Sequence, residues 1–370
     1  MKKQKILILT ANFGAGHTTA ANAIKNYLTN NNFNLSKDFD IIVENFIEAS
    51  IPLLEKPLVK MYETTIKHFP LLYNAYYYTM KELNSKYTHG HYIFSKKLNS
   101  YIQNINPDLI ISTFPQASAC VNYLKEKKLI SIPLVTVVTD VVMSNEWIHK
   151  NTDMYFVPSN EIKESFIKKG ISNTKIKITG IPVSSNFFNI CKDNSKNKYK
   201  IVFMGGARGL FNVSNNFIYW LDKFIDKKDD MVEVIIIAGK NKSLYNKFKN
   251  KKPLENILIL GFVKNIDEII KDCDLLITKP GGATLFESIN AEIPIVVRKS
   301  SIGQEKYNAN FIRDRNIGIV YKKEKELKIL IKKLLNKNFD DSLKNIIFNI
   351  QELKDNIKPD NIELYIEELI

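Results

Sequence analysis

Short apolar runs recur along the chain, each closed by a polar or glycine-containing turn. In the first half these are Lys5–Thr10, Ile41–Val43, Leu109–Ser112, Leu134–Val138, Met154–Val157 and Ile176–Thr179. Continuous runs of this length predict strands buried on both faces. Segments with helical periodicity separate most of them. Thr18–Leu28 places Ala20, Ala21, Ile24 and Leu28 on one face, and Ser118–Lys127 and Asn160–Lys169 follow the same rule. After a polar linker over Cys191–Lys200, the alternation restarts with Ile201–Met204, Val232–Ala238, Ile257–Leu260, Leu275–Thr278, Ile295–Val297 and Ile319–Val320. Alternation of this kind predicts parallel sheets covered by helices. Asp108-Leu109-Ile110-Ile111-Ser112 is echoed by Asp274-Leu275-Leu276-Ile277-Thr278, and each copy leads into a proline-containing turn. The expectation is an α/β chain of two doubly wound, Rossmann-like domains, 1–190 and 198–340, with C-terminal helices over 341–370 packing back towards the first. Ligands in such folds sit outside the carboxyl ends of the strands, which predicts a cleft between the domains.

Residues 50–106 break the alternation. They read as helical and aromatic, with Tyr62, Phe69, Tyr73, Tyr78, Phe94 and Tyr101, and lysines outnumber glutamates. Tyrosine with lysine suits a bilayer interface. The plain alternative is a helical excursion that packs its rings on its own domain.

Composition narrows the class. The 370 residues are 45% hydrophobic and 25% charged, which fits a globular protein of two domains. The formal charge of +14 is shared by both halves, so it marks no basic tail. It suits an anionic membrane surface, whereas nucleic-acid binding has no recognition motif behind it. Cys120, Cys191 and Cys273 are isolated, which predicts neither a disulfide framework nor a zinc site and fits a reducing compartment. No apolar run approaches the roughly 20 residues of a membrane-spanning helix, so membrane contact is expected to be peripheral.

The chemistry concentrates in loops after strands. Lys279-Pro280-Gly281-Gly282 ends one strand and opens a helix near Ala283 or Thr284, leaving backbone N–H groups that suit a phosphate. Glu287, one turn on, can reach a ribose diol beside it. Gly205-Gly206-Ala207-Arg208 follows the first strand of the second half, where Arg208 can add a charge. The spacing is not the G-x-G-x-x-G of a dinucleotide site, which argues against a dehydrogenase. His17 stands after Gly14-Ala15-Gly16 at a helix start, which helps keep its imidazole neutral and able to act as a base. Asp140 follows a strand and can orient His17, position an acceptor or act as base itself. No Asp-x-Asp pair follows a strand to hold a divalent cation, so a leaving diphosphate is expected to be stabilised by glycine loops, helix dipoles and Arg208 or Lys279, with no metal and no cofactor.

These motifs resemble glycosyltransferase family 28, in its branch of monogalactosyldiacylglycerol synthases and processive diacylglycerol β-glucosyltransferases. The likeness runs through Ala11-Asn12-Phe13-Gly14-Ala15-Gly16-His17, Ser112-Thr113-Phe114-Pro115, Thr139-Asp140, Trp147-Ile148-His149, Gly261-Phe262-Val263, Lys279–Glu287 and Gly303-Gln304-Glu305. It implies a GT-B architecture and inverting transfer of a hexose from UDP-glucose or UDP-galactose to diacylglycerol or a glycosyldiacylglycerol, at the cytoplasmic face of the membrane. Carried over, Gly205 and Gly206 lie near the diphosphate and Phe262 and Val263 border the uracil. Gly281, Gly282 and Thr284 cradle phosphate, Glu287 holds the ribose, and Gln304 and Glu305 meet the sugar. His17 and Asp140 are the catalytic candidates, with Gly16, Phe114, Pro115, Ser144 and Trp147 on the acceptor side. Residues 50–106 fall where the family meets the membrane. Two positions depart from the pattern: Ser144 stands where relatives often carry histidine, and Ala283 where they often carry a branched residue. The competing readings are a UDP-GlcNAc transferase acting on a peptidoglycan lipid and a UDP-sugar-binding regulator without turnover.

Overall fold

The computed structural model describes residues 3–29, 39–82, 91–188, 190, 198–205, 213–226, 231–251, 254–336 and 339–370. Two units emerge. The first comprises Met1–Ser185, Ile302–Gln304 and Asn356–Ile370, and the second Asn186–Ser301 and Glu305–Asp355.

The first unit is built on β1 (Gln4–Thr10), β2 (Phe39–Asn45), β3 (Leu109–Ser112), β4 (Leu134–Val137), β5 (Met154–Val157) and β6 (Ile176–Ile178). They form one parallel sheet in the order β2-β1-β3-β4-β5-β6. Its helices are α1 (Gly16–Thr29), α2 (Phe46–Ser50), α3 (Glu55–His68), α4 (Pro70–Glu82), α5 (His91–Ile105), α6 (Pro115–Glu126) and α7 (Asn160–Lys168). The second unit is built on β7 (Tyr199–Met204), β8 (Val232–Ile237), β9 (Ile257–Leu260), β10 (Leu275–Thr278), β11 (Ile295–Arg298) and β12 (Gly318–Tyr321). These too are parallel, in the order β12-β11-β10-β7-β8-β9. With them go α8 (Asn215–Ile225), α9 (Lys242–Asn246), α10 (Ile266–Ile270), α11 (Gly282–Asn290), α12 (Gly303–Asp314), α13 (Glu324–Asn336) and α14 (Phe339–Asp355). Finally α15 (Ile362–Glu367) packs on α1 in the first unit, where Tyr365 lies between the Phe156 ring and the Lys177 ammonium.

The predicted strands all form, and the inner strands of each sheet are covered on both faces while the edge strands β2 and β9 are partly open. Ile6, Leu7, Ile8 and Leu9 of β1 are fully buried, as are Leu109, Ile110 and Ile111 of β3. The repeated aspartates have one job in both sheets. Asp108 receives the Lys5 N–H at 2.8 Å, and Asp274 receives the Lys200 N–H at 2.8 Å, so each ties the start of a strand to its neighbour. Asp153 does the same for Leu134 at 2.7 Å.

Helix starts differ from the sequence expectation. The helix expected from Ser118 begins at Pro115, with Phe114 as its cap. Proline at the first helical position loses no hydrogen bond and already has a helical φ, so the turn starts three residues early. The segment over 50–106 supplies α3, α4 and α5, preceded by a 3-10 turn over Pro52–Leu54, with 83–90 outside the described residues.

Strand order decides where ligands can sit. In the first sheet the order of strand addition reverses between β1 and β3, and in the second between β7 and β10. At such switch points the loops at the carboxyl ends splay apart and leave a crevice. The loops so placed are Ala11–Ala15 and Thr113–Phe114 in one unit, and Gly205 and Lys279–Gly281 in the other.

Candidate active site

In the first unit, Gly14 adopts φ +93°, which glycine tolerates, and the loop then enters α1 at Gly16. His17 is buried in the first turn of that helix. Its Nδ1 lies 2.8 Å from the Thr113 carbonyl oxygen, at the end of β3. A carbonyl only accepts, so Nδ1 carries the proton and Nε2 keeps its lone pair. Thr139 Oγ1 lies 3.0 Å from the same Nδ1, and the Phe114 ring meets the imidazole edge to face at 5.3 Å. Burial lowers the His17 pKa to about 4, against a smaller raising effect of the Thr113 carbonyl, so the ring is neutral at pH 7. The sequence pointed to the helix terminus as the cause of that neutrality; desolvation is the larger one.

Asp140 is buried beyond Thr139, and its Oδ2 accepts the Trp147 indole N–H at 2.8 Å. Gln304, which groups with this unit, also donates to it. Burial raises the Asp140 pKa to about 6 despite those two donors. The hydrogen bonds thus hold His17 through Thr113 and Thr139, and Asp140 through Trp147 and Gln304. Ser144 is buried and donates to Glu146 Oε1 at 3.2 Å. Burial first, then the charge of Asp140, pushes Glu146 up to about 7. Gly16, Phe114 and Pro115 lie at the starts of α1 and α6, beside His17 and Thr113. Thr113 and Thr139 stand in the motifs quoted above without a role of their own, and Glu146 stands in none. The bond to Thr113 is a backbone contact across 96 positions, which no side-chain motif encodes.

In the second unit, Gly281 caps α11 without a side chain. The N–H groups of Gly282, Ala283 and Thr284 then have no carbonyl within the helix to bond. Gly281 has an ordinary φ of −84°, and an added Cβ would meet only Thr284 Oγ1, at 3.8 Å. Neither backbone strain nor packing requires glycine there; its effect is to leave the N–H groups open to a ligand. Asn308 pins the loop by donating to the Pro280 carbonyl at 2.9 Å. Lys279 pairs with Glu305 at 2.9 Å, so these two predicted residues already neutralise each other. Phe262 is 65% exposed after β9, with Val263 half-buried beside it. Gly205 is buried at the end of β7, while Gly206 and Arg208 lie outside the described residues, as does most of the polar linker. No group of three or more metal-binding side chains occurs among the described residues.

Glu287 sits on the first turns of α11, where burial lifts its pKa to about 7 against the Thr284 hydroxyl, with Asp267 adding to the rise. The folded ligand-free protein therefore holds this proton more tightly than the unfolded chain does. The resulting stability is full below pH about 4.5 and is lost as pH rises through about 7. Glu287→Gln should raise the Tm of the ligand-free protein at pH 8, with the gap closing towards pH 5. A gap that is independent of pH, read from thermal unfolding curves, would contradict this.

Comparison with known proteins covers both units. Residues 17–183 match the model for monogalactosyldiacylglycerol (MGDG) synthase, and residues 200–358 the glycosyltransferase family 28 C-terminal domain. The chain is 31% identical over 345 residues to the processive diacylglycerol beta-glucosyltransferase of Staphylococcus haemolyticus, covering 91% of this chain and 86% of that protein. The enzyme of the same name from Bacillus subtilis is 30% identical over 366 residues, 95% of this chain and 91% of its own. Among solved structures, Acinetobacter baumannii MurG superposes with a TM-score of 0.58 at 14% identity, over 100% of this chain and 99% of that one. The glycotransferase of kitacinnamycin gives 0.64 at 9% identity, over the whole of both chains. At such identities these two speak to the fold alone, which is that of the GT-B glycosyltransferases.

Proposed function

We propose, because the chain belongs to the monogalactosyldiacylglycerol synthase branch of glycosyltransferase family 28, that it transfers glucose from a UDP-linked donor to diacylglycerol in β linkage. The observation that carries the mechanism is the His17 Nδ1 bond to the Thr113 carbonyl, which leaves Nε2 as a neutral base. Nε2 takes the proton of the acceptor hydroxyl as its oxygen attacks the anomeric carbon. The bond to the UDP oxygen breaks on the opposite side, and the configuration inverts. The N–H groups of Gly282, Ala283 and Thr284, with the positive end of α11, receive the charge that develops on the diphosphate. Glu287 accepts hydrogen bonds from the ribose hydroxyls. No divalent metal is assigned a part. The relatives' name includes processivity, so glucosyldiacylglycerol is proposed as a second acceptor. Radiolabelled UDP-glucose, UDP-galactose and UDP-GlcNAc supplied with diacylglycerol vesicles test the donor: label should enter the lipid phase from UDP-glucose. Label entering from UDP-GlcNAc instead would contradict the glucose donor.

The protein is proposed to act as a peripheral protein on an anionic bilayer, at the cytoplasmic face, in line with the isolated spacing of its three cysteines. No helix among the described residues is long and apolar enough to cross a membrane. The 3-10 turn and α3–α4 supply the surface: Leu53 is 89% and Leu71 84% exposed, with Met61 and Phe69 also exposed and Lys56 and Lys60 beside them. Leu53→Ser and Leu71→Ser should each weaken vesicle binding by about tenfold or more. Binding should also fall with added salt and with removal of anionic lipid. Co-sedimentation with vesicles checks both effects, and unchanged binding in the double variant would remove this surface from the account.

A further inference from the structure

Glu55 has no part in the chemistry above, yet its setting is unusual. It is the first residue of α3, directly after the exposed Leu53 and Leu54, and it is itself buried, at 9% exposure. Its Oε1 accepts two side-chain amides: Asn12 Nδ2 at 2.9 Å and Asn45 Nδ2 at 3.3 Å. Asn12 lies in the loop that carries His17. Asn45 ends β2, and its Oδ1 accepts the Ile47 N–H at 3.0 Å to cap α2. A buried carboxylate is costly unless such donors hold it, so the clamp has a defined geometry.

A second set of contacts joins the same places. Phe13, next to Asn12, meets Tyr62 of α3 edge to face at 5.2 Å and stacks on Phe114 at 5.5 Å. Phe114 in turn meets His17 at 5.3 Å. Tyr62 continues to Tyr73 of α4 at 5.8 Å. The helices with the exposed apolar residues are thus joined to the His17 loop by a carboxylate clamp and by a row of rings.

We propose that Glu55 is a positioning residue that couples the seat of α3 to the His17 loop, so that docking of Leu53 and Leu54 into a lipid surface raises turnover. The proposal rests on the reading of the protein as a lipid glucosyltransferase. Seating α3 on a bilayer removes alternative orientations of its first turn, and through Glu55 and Asn12 the loop loses them too. Misplacement of a base by about 1 Å costs on the order of 10²-fold in rate, so a small change in the loop is enough.

The test compares kcat and KM of the full chain on diacylglycerol vesicles and on a short-chain diacylglycerol dispersed as monomers, with UDP affinity and Tm measured alongside. Wild type should turn over faster on vesicles than on monomers. Glu55→Ala and Asn12→Ala should each lose about tenfold in kcat on vesicles, while the slower monomer rate and UDP affinity stay unchanged. Asn12 is exposed, so its variant tests the clamp without opening the interior. The exchanged pair, Asn12→Asp with Glu55→Gln, reverses donor and acceptor and should recover the vesicle rate. Equal losses on both acceptors, an unaltered vesicle rate, or no recovery in an exchanged pair of wild-type Tm would overturn the coupling. A wild-type protein that forms no glycolipid on either acceptor would overturn the transferase reading and this inference with it, and that result appears before any variant is made.

Discussion

Replacing His17 by alanine should lower kcat by about 10²- to 10⁴-fold and leave UDP affinity unchanged. The first half follows from the tautomer: with Nδ1 donating to Thr113, only Nε2 can take the acceptor's proton. A ring held neutral by burial is in its basic form throughout the physiological range. The second half follows from the division of labour between the units, since the phosphate-facing N–H groups and Glu287 all belong to the second. Thr113 holds the His17 ring through its main-chain carbonyl and donates from its Oγ1 to the His17 carbonyl at 3.1 Å, so Thr113→Ser, which keeps both bonds, should have a far smaller effect than His17→Ala. Steady-state kinetics beside calorimetry of UDP binding checks the split. Near-normal turnover in His17→Ala would exclude it as the base and shift attention to Asp140.

Glu287→Ala should weaken UDP binding by about 10- to 100-fold, the range for losing hydrogen bonds to a charged group. The burial that lifts its pKa to about 7 adds a signature. Ribose hydroxyls donate, so they bind the ionised carboxylate and compete with its proton. Wild-type UDP affinity should therefore rise with pH across about 7 and level off above it, whereas Glu287→Ala should show no such rise. A ribose assignment does not survive unchanged affinity in the variant. On the proposed ribose assignment the same side chain would serve the ligand at the expense of the stability of the ligand-free protein at high pH.

The architecture was legible because buried parallel strands leave an unambiguous pattern. Ile6–Leu9 and Leu109–Ser112 have no polar face to confuse them with a surface element, and the aspartates Asp108 and Asp274 mark equivalent strand starts. Helix ends were less legible. α6 begins at Pro115 and α11 at Gly282, before their apolar periodicity starts, because a proline and a glycine cap carry no hydrophobic signal. At the site, the sequence offered residue types but not their partners. The anchors of the His17 ring are a backbone carbonyl and the Thr139 hydroxyl, from loops far away in the chain. The Glu55 clamp was equally hidden, since Asn12, Asn45 and Glu55 are common polar residues until the sheet order brings β1 and β2 together. Sheet topology, rather than any local motif, assembles these contacts.

The most direct test of the central claim is mass analysis of the lipids formed when the purified protein, diacylglycerol vesicles and each UDP-hexose are combined. UDP-glucose should yield β-glucosyldiacylglycerol and then a diglucosylated product, both absent with His17→Ala. No glycolipid from any UDP-hexose, in a protein that still binds UDP, would contradict the account and point to a sugar-nucleotide-binding regulator.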